Sequence, residues 1–521
     1  MEKLYRPIGV FVAVLWLAAC GSSSQTAATS TSTAPGSLTL TPPLRIGATD
    51  AAGLTAQLQG GGAAGAALLQ LAGAPVCGVD FYYMKFNTTG GAGESAVSSG
   101  ALMVPTGAAP ACSGPRPIVL YAHGTTTEKN YNIADITNTT STSGQEGLLV
   151  AAMFAAQGYI VVAPNYAGYD ISTLSYHPYL NAQQESGEMI DALAAARTAL
   201  PTTFAASTTD SGKLFVTGYS EGGFVAMATT RALQLAGKTV TASAPASGPY
   251  ALEAFGDAIF YGNVNLGSTV FAPLVTTSYQ QAYKNIYNTP ADVYSPTYAT
   301  GIDTLLPSTT SVAQLFADGK LPQAAAFDSM TPVTGNAQLD AVLAVPSNPL
   351  FAAGFGEPFL INNSYRLSYV LDAVADPDGA VPVPKAGVPL SAAPQQSLRG
   401  ALRTNDLRNG TWVPGSPILM CGGGQDPLVF FPVNTGTMQA FWAALPPGLI
   451  SVLDVNATPA GPFALLQGAF QQSQAAEFAF LQTPAGGGLS PAAAQAQLVR
   501  GYHGAVLPFC ASAARRFFAA F

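Results

Sequence analysis

The sequence predicts an α/β fold with a mainly parallel sheet, flanked by helices and carrying a large, mostly helical cap. Short apolar runs alternate with helical patterns over the first half of the chain, and such runs are typical of strands buried on both faces of a parallel sheet. The alternation stops near residue 248 and resumes at the apolar run 418–421. The predicted division is a first core segment at 44–248, a cap insertion at 249–412 and a second core segment at 413–521.

The predicted strands are short apolar or alternating runs, and the predicted helices have apolar residues at helical spacing. In 184–199, for example, Met189, Leu193 and Ala196 share one helical face. Strands are predicted at 79–86, 95–104, 117–122, 159–163, 213–217, 240–244, 418–421 and 449–455. Helices are predicted at 147–157, 184–199, 223–236, 435–444, 461–482 and 490–500, with short pieces at 279–287 and 311–317 in the cap.

The composition excludes several classes of protein. The chain has 521 residues, with 28 acidic and 20 basic side chains and a formal net charge of −8. Charged residues make up 9% of it and hydrophobic residues 48%, whereas charges reach about 25% in ordinary soluble domains. Disordered chains have few apolar residues, and nucleic-acid-binding proteins need a basic surface, so both classes are excluded. Pro, Gly, Asn and Ser interrupt the later apolar runs, which excludes a polytopic membrane protein.

The amino terminus has the pattern of an export signal. Lys3 and Arg6 precede an apolar run at 8–19 that is too short to span a bilayer and ends at Cys20-Gly21. Small residues before such a cysteine resemble the bacterial lipobox, which implies lipidation of Cys20 and, with Gly21 next, the outer membrane. The alternative is an ordinary secretory signal and a secreted protein. We predict a signal peptide at 1–19 and a flexible lipidated tether at 20–43, so that the lipid anchor is the only membrane contact.

The other four cysteines predict two disulfides. An exported chain in an oxidising compartment favours disulfides over buried free thiols. Four cysteines allow three connectivities. The pairing we expect is Cys77–Cys112 and Cys421–Cys510.

The strongest motif is a glycine-rich turn around a serine. Gly218-Tyr219-Ser220-Glu221-Gly222 stands between the predicted strand 213–217 and the predicted helix 223–236, which gives G-x-S-x-G in a strand–turn–helix context. The serine of such a turn lies on a strained bend, and a side chain at either glycine would collide with the neighbouring strand or helix. Ser220 is therefore a candidate nucleophile at a helix amino terminus, where the dipole favours developing negative charge.

Several other stretches accompany this turn. They are Tyr121-Ala122-His123-Gly124-Thr125, Ala163-Pro164-Asn165-Tyr166-Ala167-Gly168, His177-Pro178-Tyr179-Leu180 and the run from Asp191 to Arg197. With them the chain resembles the α/β-hydrolase superfamily and, more narrowly, the fungal secretory lipases and their bacterial lipoprotein relatives. The resemblance covers about 75–250 well, and 415–430 and 500–518 more loosely. It implies hydrolysis of carboxylic esters through an acyl-enzyme, without metal or organic cofactor, and a cap inserted before the acid-bearing strand.

The base is predicted from chain order. In α/β-hydrolases the catalytic residues follow the order serine, acid, histidine. The chain has three histidines, and only His503 follows the serine, whereas His123 and His177 precede it. A long interval separates His503 from the predicted strand 449–455, so this assignment depends on chain order and on the scarcity of histidines.

The acid is expected in the loop after the strand 418–421. Asp426 would there orient the imidazole and stabilise the imidazolium that forms. A disulfide between Cys421 and Cys510 would tie this loop to the helix after the histidine. The predicted triad is Ser220, Asp426 and His503, and the competing acids in the cap and its exit are Asp372, Asp376, Asp378 and Asp406.

The oxyanion hole needs two backbone N–H groups aimed at the developing charge. One is expected from Glu221, directly after the nucleophile. The other is expected from Gly124 or Thr125, after the strand 117–122. The Glu221 side chain is not needed for this role, and we expect it to be a solvated acid at the helix start.

The aromatic, weakly charged cap favours neutral esters, namely acyl glycerols, small aryl or alkyl esters, or a polyester. Its aromatic side chains could line an apolar acyl tunnel, and the alternative is that they form the core of the cap. These side chains are Phe255, Phe260, Tyr261, Phe271, Phe316, Phe327, Phe351, Phe355 and Phe359. No nucleic-acid partner is expected.

Two other functions remain open. A serine peptidase of the aminopeptidase kind could use the same triad. It would need acidic side chains to hold the substrate amine, for which the candidates are Glu185, Glu188, Glu253, Asp257 and Glu357. The second alternative is a non-catalytic surface lipoprotein that uses a hydrolase fold to bind a partner.

Overall fold

The computed structural model of the chain describes residues 33–205 and 207–521. The predicted signal peptide at 1–19 and the predicted lipidation site, Cys20, lie outside the described residues. Within the described part, every helix is too short or too polar to cross a membrane.

The core of the described chain is one mixed sheet of nine strands. They are β1 (Leu44–Thr49), β2 (Gly78–Thr89), β3 (Ser95–Thr106), β4 (Gly114–Ala122), β5 (Ile160–Pro164), β6 (Thr208–Tyr219), β7 (Ala242–Ala246), β8 (Ile418–Gly422) and β9 (Ile450–Asp454). Their order across the sheet is β1-β2-β3-β5-β4-β6-β7-β8-β9. The neighbouring pairs β1-β2, β2-β3 and β3-β5 are antiparallel, and the pairs from β5-β4 to β8-β9 are parallel. The predicted α/β fold with a mainly parallel sheet is confirmed, and each of the eight predicted strands is present.

The amino-terminal edge of the sheet differs from the prediction. β1, which was not predicted, is mostly exposed, so its sequence carries no continuous apolar signal. Leu38, in the segment predicted as a flexible tether, is buried and bridges to Phe86 of β2. The N–H of Gly36 also donates to the carbonyl of Asn87. The free edge of β2 therefore draws this segment into the fold, so Gly36 and Leu38, which were predicted to belong to the tether, pack against the sheet.

The parallel strands end level with one another at one edge of the sheet. Ala122 of β4 pairs with Gly218 of β6, and Tyr219 pairs with Ala246 of β7. Ala246 also pairs with Cys421 of β8. The loops after β4, β6 and β8 therefore leave the sheet side by side, which is where α/β proteins place their ligand sites.

Helices cover both faces of the sheet and fill the chain between β7 and β8. In the described residues the α-helices are α1 (Ala51–Gly60), α2 (Gly62–Ala72), α3 (Thr142–Met153), α4 (Ala182–Ala199), α5 (Glu221–Leu235), α6 (Leu252–Phe260), α7 (Ser268–Tyr283), α8 (Val312–Ala317), α9 (Ala337–Leu343), α10 (Pro349–Ala352), α11 (Asn363–Ala375), α12 (Ser397–Asn405), α13 (Thr437–Phe441), α14 (Ala464–Leu481) and α15 (Pro491–Phe518). Helices α4 and α15 begin at residues whose side chains accept backbone N–H groups of the first turn, Asn181 and Ser490. The Ala- and Gly-rich helices α1 and α2 were not predicted.

The last helix is much longer than the predicted piece at 490–500. Gly501, Gly504 and Pro508 suggest a break, but α15 continues to Phe518. Its second half buries Val506 and Phe509 in the main core, and this packing outweighs the low helix propensity of the three residues. His503 consequently lies in the middle of a helix.

Between β7 and β8 the described chain contains α6 to α12 and no strand of the sheet, as predicted for the cap. The helix predicted at 279–287 instead runs over Ser268–Tyr283 and ends at Lys284, which has a left-handed conformation. Two buried arginines hold the cap segments together. Arg399 of α12 pairs with Asp257 of α6 at 2.8 Å, and Arg408 pairs with Asp378 at 2.7 Å and with Asp406 at 2.8 Å.

Both predicted disulfides are present. Cys77 and Cys112 have Cα atoms 5.3 Å apart, and Cys421 and Cys510 have Cα atoms 5.6 Å apart, within the range that a disulfide spans. The first joins the start of β2 to the turn before β4. The second joins β8 to α15 at a position two helical turns after His503, on the same face of the helix.

Candidate active site

The turn between β6 and α5 has the strained geometry that the glycine pattern predicts. Ser220 has φ +60° and ψ −125°, an unusual conformation for a residue with a side chain. A Cβ at Gly218 would lie 2.2 Å from the carbonyl oxygen of Gly222, and one at Gly222 would lie 2.0 Å from the carbonyl oxygen of Ala122. Only glycine fits at either position, so the backbone of the turn packs directly against β4.

Asp426 and His503 lie in direct contact. His503 Nδ1 is 2.6 Å from Asp426 Oδ2, and both side chains are almost completely buried. The other carboxylate oxygen, Asp426 Oδ1, accepts the backbone N–H groups of Leu428 at 2.9 Å and Val429 at 3.1 Å. Since the carboxylate is an acceptor in all three contacts, Nδ1 donates its proton to the acid, and Nε2 is the nitrogen that the acid does not engage.

The ring of His503 lies beside the serine turn. The ring of His503 is 4.9 Å, between centroids, from the ring of Tyr219, the residue before Ser220. The Tyr219 hydroxyl donates to the backbone carbonyl of His503. His503 Nε2 is buried and has no hydrogen-bond partner among the described residues. The structure thus brings Asp426 and His503 into contact and places the His503 ring against the residue before Ser220, with no hydrogen bond from Nε2 to the serine.

The loop after β4 lies against the serine from the other side. A Cβ at Gly124 would be 3.5 Å from Ser220 Cβ. The Gly124 N–H is directed at Glu146 Oε1, 3.4 Å away. The Thr125 hydroxyl bonds the Tyr179 hydroxyl at 3.2 Å. Glu221 is the first residue of α5, so its N–H has no partner within the helix.

The predicted environment of the Glu221 side chain is wrong. The side chain is buried rather than solvated, and its Oε1 is 2.6 Å from His177 Nε2. Glu185 at the start of α4 lies 3.6 Å from the same nitrogen. The only sequence signal for this contact is the His-Pro-Tyr-Leu stretch, since no local spacing connects positions 177 and 221.

The other two histidines are not placed to act as the base for Ser220. His123 is fully buried and stacks between Tyr131 and Tyr166, with ring centroids 4.3 Å and 4.0 Å away. His177 is committed to Glu221 and to the carbonyl of Ala167. Both contacts agree with the exclusion of these residues by chain order.

The competing acids are all engaged within the cap. Asp372 contacts Arg399, Asp378 and Asp406 pair with Arg408, and Asp376 accepts the N–H groups of Ala392 and Ala393. None of these contacts involves His503. Their partners are cap residues or the cap exit, as their position in the sequence suggests.

An apolar pocket opens at Ser220 and extends into the cap. Its walls come mainly from α6, α7 and α12, and Glu221 is the only carboxylic acid among its lining residues in the described chain. The lining residues are Tyr179, Leu180, Ser220, Glu221, Pro249, Leu252, Phe255, Gly256, Ile259, Phe260, Asn265, Ser268, Phe271, Ala272, Val275, Thr276, Val293, Ala326, Phe327, Ile361, Tyr365, Leu398, Leu402 and Val429. Four of the nine aromatic residues proposed for a tunnel therefore line it, Phe255, Phe260, Phe271 and Phe327.

None of the acids considered for binding a substrate amine is among the described residues that line the pocket. Glu253 is buried against Arg399 and the hydroxyl of Ser391, and burial raises its pKa to about 7. Asp257 pairs with the same arginine. Glu185 faces His177. Glu188 and Glu357 are absent from the pocket lining, the first being buried against Ser98 and the second exposed.

Comparisons with known proteins agree with this architecture. Residues 148–266, which include the serine turn, match the model of the prolyl oligopeptidase family. No curated protein matches the sequence significantly. The crystal structure of the rice cell wall degrading esterase LipA from Xanthomonas oryzae, in a ligand-bound form, superimposes with a TM-score of 0.61 and 25% identity over 81% of this chain and 91% of that one.

A second solved structure shares the fold. The putative hydrolase of Legionella pneumophila superimposes with a TM-score of 0.55 and 18% identity over 79% of this chain and 90% of that one. The sheet order, the strained serine turn, the cap between β7 and β8 and these similarities lead to one classification. The chain has the α/β-hydrolase fold and is similar to hydrolases of that superfamily, with an architecture like that of esterases.

Proposed function

We propose that the protein is an exported serine hydrolase that cleaves carboxylic esters through an acyl-enzyme. The observation that carries the proposal is the 2.6 Å bond between His503 Nδ1 and Asp426 Oδ2, behind a serine on a strained turn. In this assignment Ser220 is the nucleophile, His503 the general base and Asp426 the acid that orients it.

The reaction has two steps. Ser220 Oγ adds to the ester carbonyl while His503 Nε2 takes its proton, and Asp426 stabilises the imidazolium. The tetrahedral intermediate collapses, the bond to the alcohol oxygen breaks, and the alcohol leaves with the proton from His503. Water then repeats the sequence on the acyl-enzyme and releases the carboxylic acid.

The N–H groups of Glu221 and Thr125 would hold the oxyanion. We favour Thr125 over Gly124 because the Gly124 N–H is directed at Glu146. The start of α5 adds the positive end of its dipole at the same place.

The substrate we propose is a neutral ester with an apolar acyl chain. The pocket at Ser220 is lined by aliphatic and aromatic side chains, and the carboxylate of its only acid is paired with His177. An acyl glycerol, a small alkyl or aryl ester and a polyester would each place an apolar acyl group in this pocket. The esterase activity named for the Xanthomonas protein supports an ester substrate.

A serine peptidase is the second candidate, because the matching family model is that of the prolyl oligopeptidases. The pocket favours the esterase, since none of the acids proposed to hold a substrate amine is among its described lining residues. Hydrolysis of aminoacyl-amide substrates at a rate above that of esters would reverse this order.

Export is supported by two disulfides, which form and persist in oxidising compartments. We propose a lipid anchor at Cys20 in the bacterial outer membrane, and secretion is the outcome if the cysteine is not lipidated. Mass spectrometry of the mature amino terminus distinguishes the two, because lipidation adds acyl mass to Cys20.

The test of function is hydrolysis of p-nitrophenyl esters from acetyl to palmitoyl by the purified protein. We expect cleavage, with a chain-length optimum that reports the depth of the pocket, and none by Ser220→Ala. A folded protein with both disulfides that cleaves no ester would contradict the esterase, and labelling of Ser220 by a fluorophosphonate would then separate a peptidase from a non-catalytic lipoprotein.

A further inference from the structure

A second group of titratable side chains lies behind the proposed oxyanion hole. His177, Glu185 and Glu221 are at most 1% exposed, and one ligand atom from each lies within 4.8 Å of the others. The proposed reaction uses only the backbone N–H of Glu221 and none of these side chains. Burying three ionisable groups costs free energy unless they are paired with one another.

Both ring nitrogens of His177 face oxygen atoms. Nδ1 faces the carbonyl oxygen of Ala167 at 2.9 Å, and Nε2 faces Glu221 Oε1 at 2.6 Å. Burial raises the pKa of Glu221, but the charge and hydrogen bond of His177 outweigh it and lower the pKa below its usual value. The carbonyl of Ala167 only accepts, so Nδ1 donates to it, and Nε2 makes the short contact with the Glu221 carboxylate.

Glu185 holds the proton that completes the cluster. Its Oε1 accepts the N–H of Leu180 at 3.1 Å. Glu185 Oε2 and Glu221 Oε2 are buried and have no donor among the described residues. Burial and the neighbouring charge of Glu221 raise the pKa of Glu185 well above its usual value. A neutral Glu185 that donates its O–H to Glu221 satisfies both oxygens.

A metal ion fits this group less well than a proton. His177 Nε2 and Glu221 Oε1 are 2.6 Å apart, a hydrogen-bond distance. Two ligands of a tetrahedral zinc stand about 3.3 Å apart, given metal–ligand bonds of about 2.0–2.1 Å.

The segment 177–180 connects the cluster to both proposed oxyanion donors. His177 binds the side chain of Glu221, which supplies one N–H. The hydroxyl of Tyr179 bonds the side chain of Thr125, which supplies the other, at 3.2 Å. Glu185 fixes the backbone of Leu180 at the end of the same segment.

We propose that His177, Glu185 and Glu221 are positioning residues that hold the oxyanion hole in place through the segment 177–180 and a proton shared between the two carboxyl groups. This inference rests on the proposed role of Ser220. The hydrogen bond between His177 and Glu221 fixes the first turn of α5, and the Glu185 proton keeps the second carboxyl from repelling Glu221.

Other titratable side chains face the Glu185–Glu221 pair from neighbouring elements. His123, directly after β4, also faces Glu221, and Glu188 lies on α4 with Glu185. Burial raises the pKa of each tyrosine around the pair, so these stay uncharged near neutral pH. The tyrosines are Tyr166, Tyr169 and Tyr179 from the loop after β5 and Tyr279 from α7.

The first test measures the rate at which a fluorophosphonate labels Ser220 in the full-length protein. In this reaction Ser220 Oγ displaces fluoride from phosphorus, and it needs the oxyanion hole but no particular ester. We expect Glu221→Ala to slow labelling by about 10- to 100-fold. This is no more than the loss of rate expected when an oxyanion donor is removed outright. Glu221→Gln should recover most of the rate, because its amide still bonds His177 and Glu185.

The second test compares the labelling rate of Glu185→Gln and wild type from about pH 5 to about pH 10. Above the pKa of Glu185 the wild-type rate should fall by about tenfold per pH unit, since the proton is lost and two carboxylates face each other. Glu185→Gln should lack this fall, because its amide keeps donating to Glu221. Asp191→Asn on the same helix is the control, since Asp191 bonds Thr88 and not the cluster, and it should keep the wild-type profile.

The outcomes separate the two proposals. Two results would overturn the positioning role alone. One is a labelling rate in Glu221→Ala equal to that of wild type, and the other is a pH profile of Glu185→Gln that matches that of wild type. Failure of the folded wild type to label at any pH would overturn the proposed function as well. If Glu221→Ala does not fold, the pH profile of Glu185→Gln decides.

Discussion

The two halves of the candidate site are built in different ways. The serine half is one continuous strand–turn–helix, and its shape depends on glycine backbone packed against β4. The acid–base half joins Asp426 to His503 across 77 positions of the chain, from a loop after β8 to the middle of α15. Local sequence is enough to specify the first half, whereas the second exists only after the carboxyl-terminal segment has folded onto the sheet.

The largest expected effect is on the serine half. Ser220→Ala removes the nucleophile, so kcat/KM for an ester should fall by about 10⁵-fold or more. The melting temperature should stay near that of wild type, because Ser220 contributes no side-chain cap to α5. Residual hydrolysis within tenfold of wild type would place the nucleophile elsewhere.

Loss of the acid should cost less. Asp426→Asn leaves the histidine in the wrong tautomer, and a loss of about 10⁴-fold in kcat is expected. Asp372→Asn is the control among the competing acids, since Asp372 contacts cap residues, the N–H of Gln395 at 2.8 Å and Arg399 at 3.3 Å, and its kcat should be close to that of wild type. Equal losses in the two variants would argue against Asp426 as the acid.

A third prediction concerns the glycines that shape the serine half. In Gly222→Ala the new Cβ meets the carbonyl of Ala122 at 2.0 Å, so both the turn and β4 must shift. We expect a loss of about 3 kcal/mol in the free energy of unfolding, together with most of the activity. Gly187→Ala in α4 is the control, because its Cβ meets nothing within 4 Å, and it should stabilise the protein by about 0.5–1 kcal/mol. Urea denaturation measures both.

Replacing the disulfides is expected to have the smallest effect on activity, and the contrast between the two bonds is the most specific. Replacing either pair by serine should lower the free energy of unfolding by about 2–5 kcal/mol. Only the Cys421–Cys510 variant should also lower kcat, because that bond ties the strand before Asp426 to the helix of His503. The Cys77–Cys112 bond lies at the far end of the core. Activity assays at a temperature where both variants are folded would show whether kcat falls in one or in both.

Much of the fold could be predicted from apolar patterning, since all eight predicted strands are present. The failures are instructive. β1 was not predicted because it is an exposed edge strand. The predicted helix 490–500 ends too early because Gly501, Gly504 and Pro508 have low helix propensity, whereas packing stabilises α15 beyond them. In the cap, only four of the nine aromatic residues proposed for the tunnel reach the pocket, because sequence does not show which face of an irregular segment turns inward.

The serine turn, the order of serine, acid and histidine and the pairing of the cysteines could all be proposed from the sequence, because each depends on local sterics, on chain order or on a few rare residues. The environment of Glu221 could not. A glutamate at a helix start is ordinarily solvated, and only the fold brings His177 and Glu185 against it from separate segments. Charge pairing between distant segments has no sequence period, so tertiary structure alone decides which buried acid meets which base.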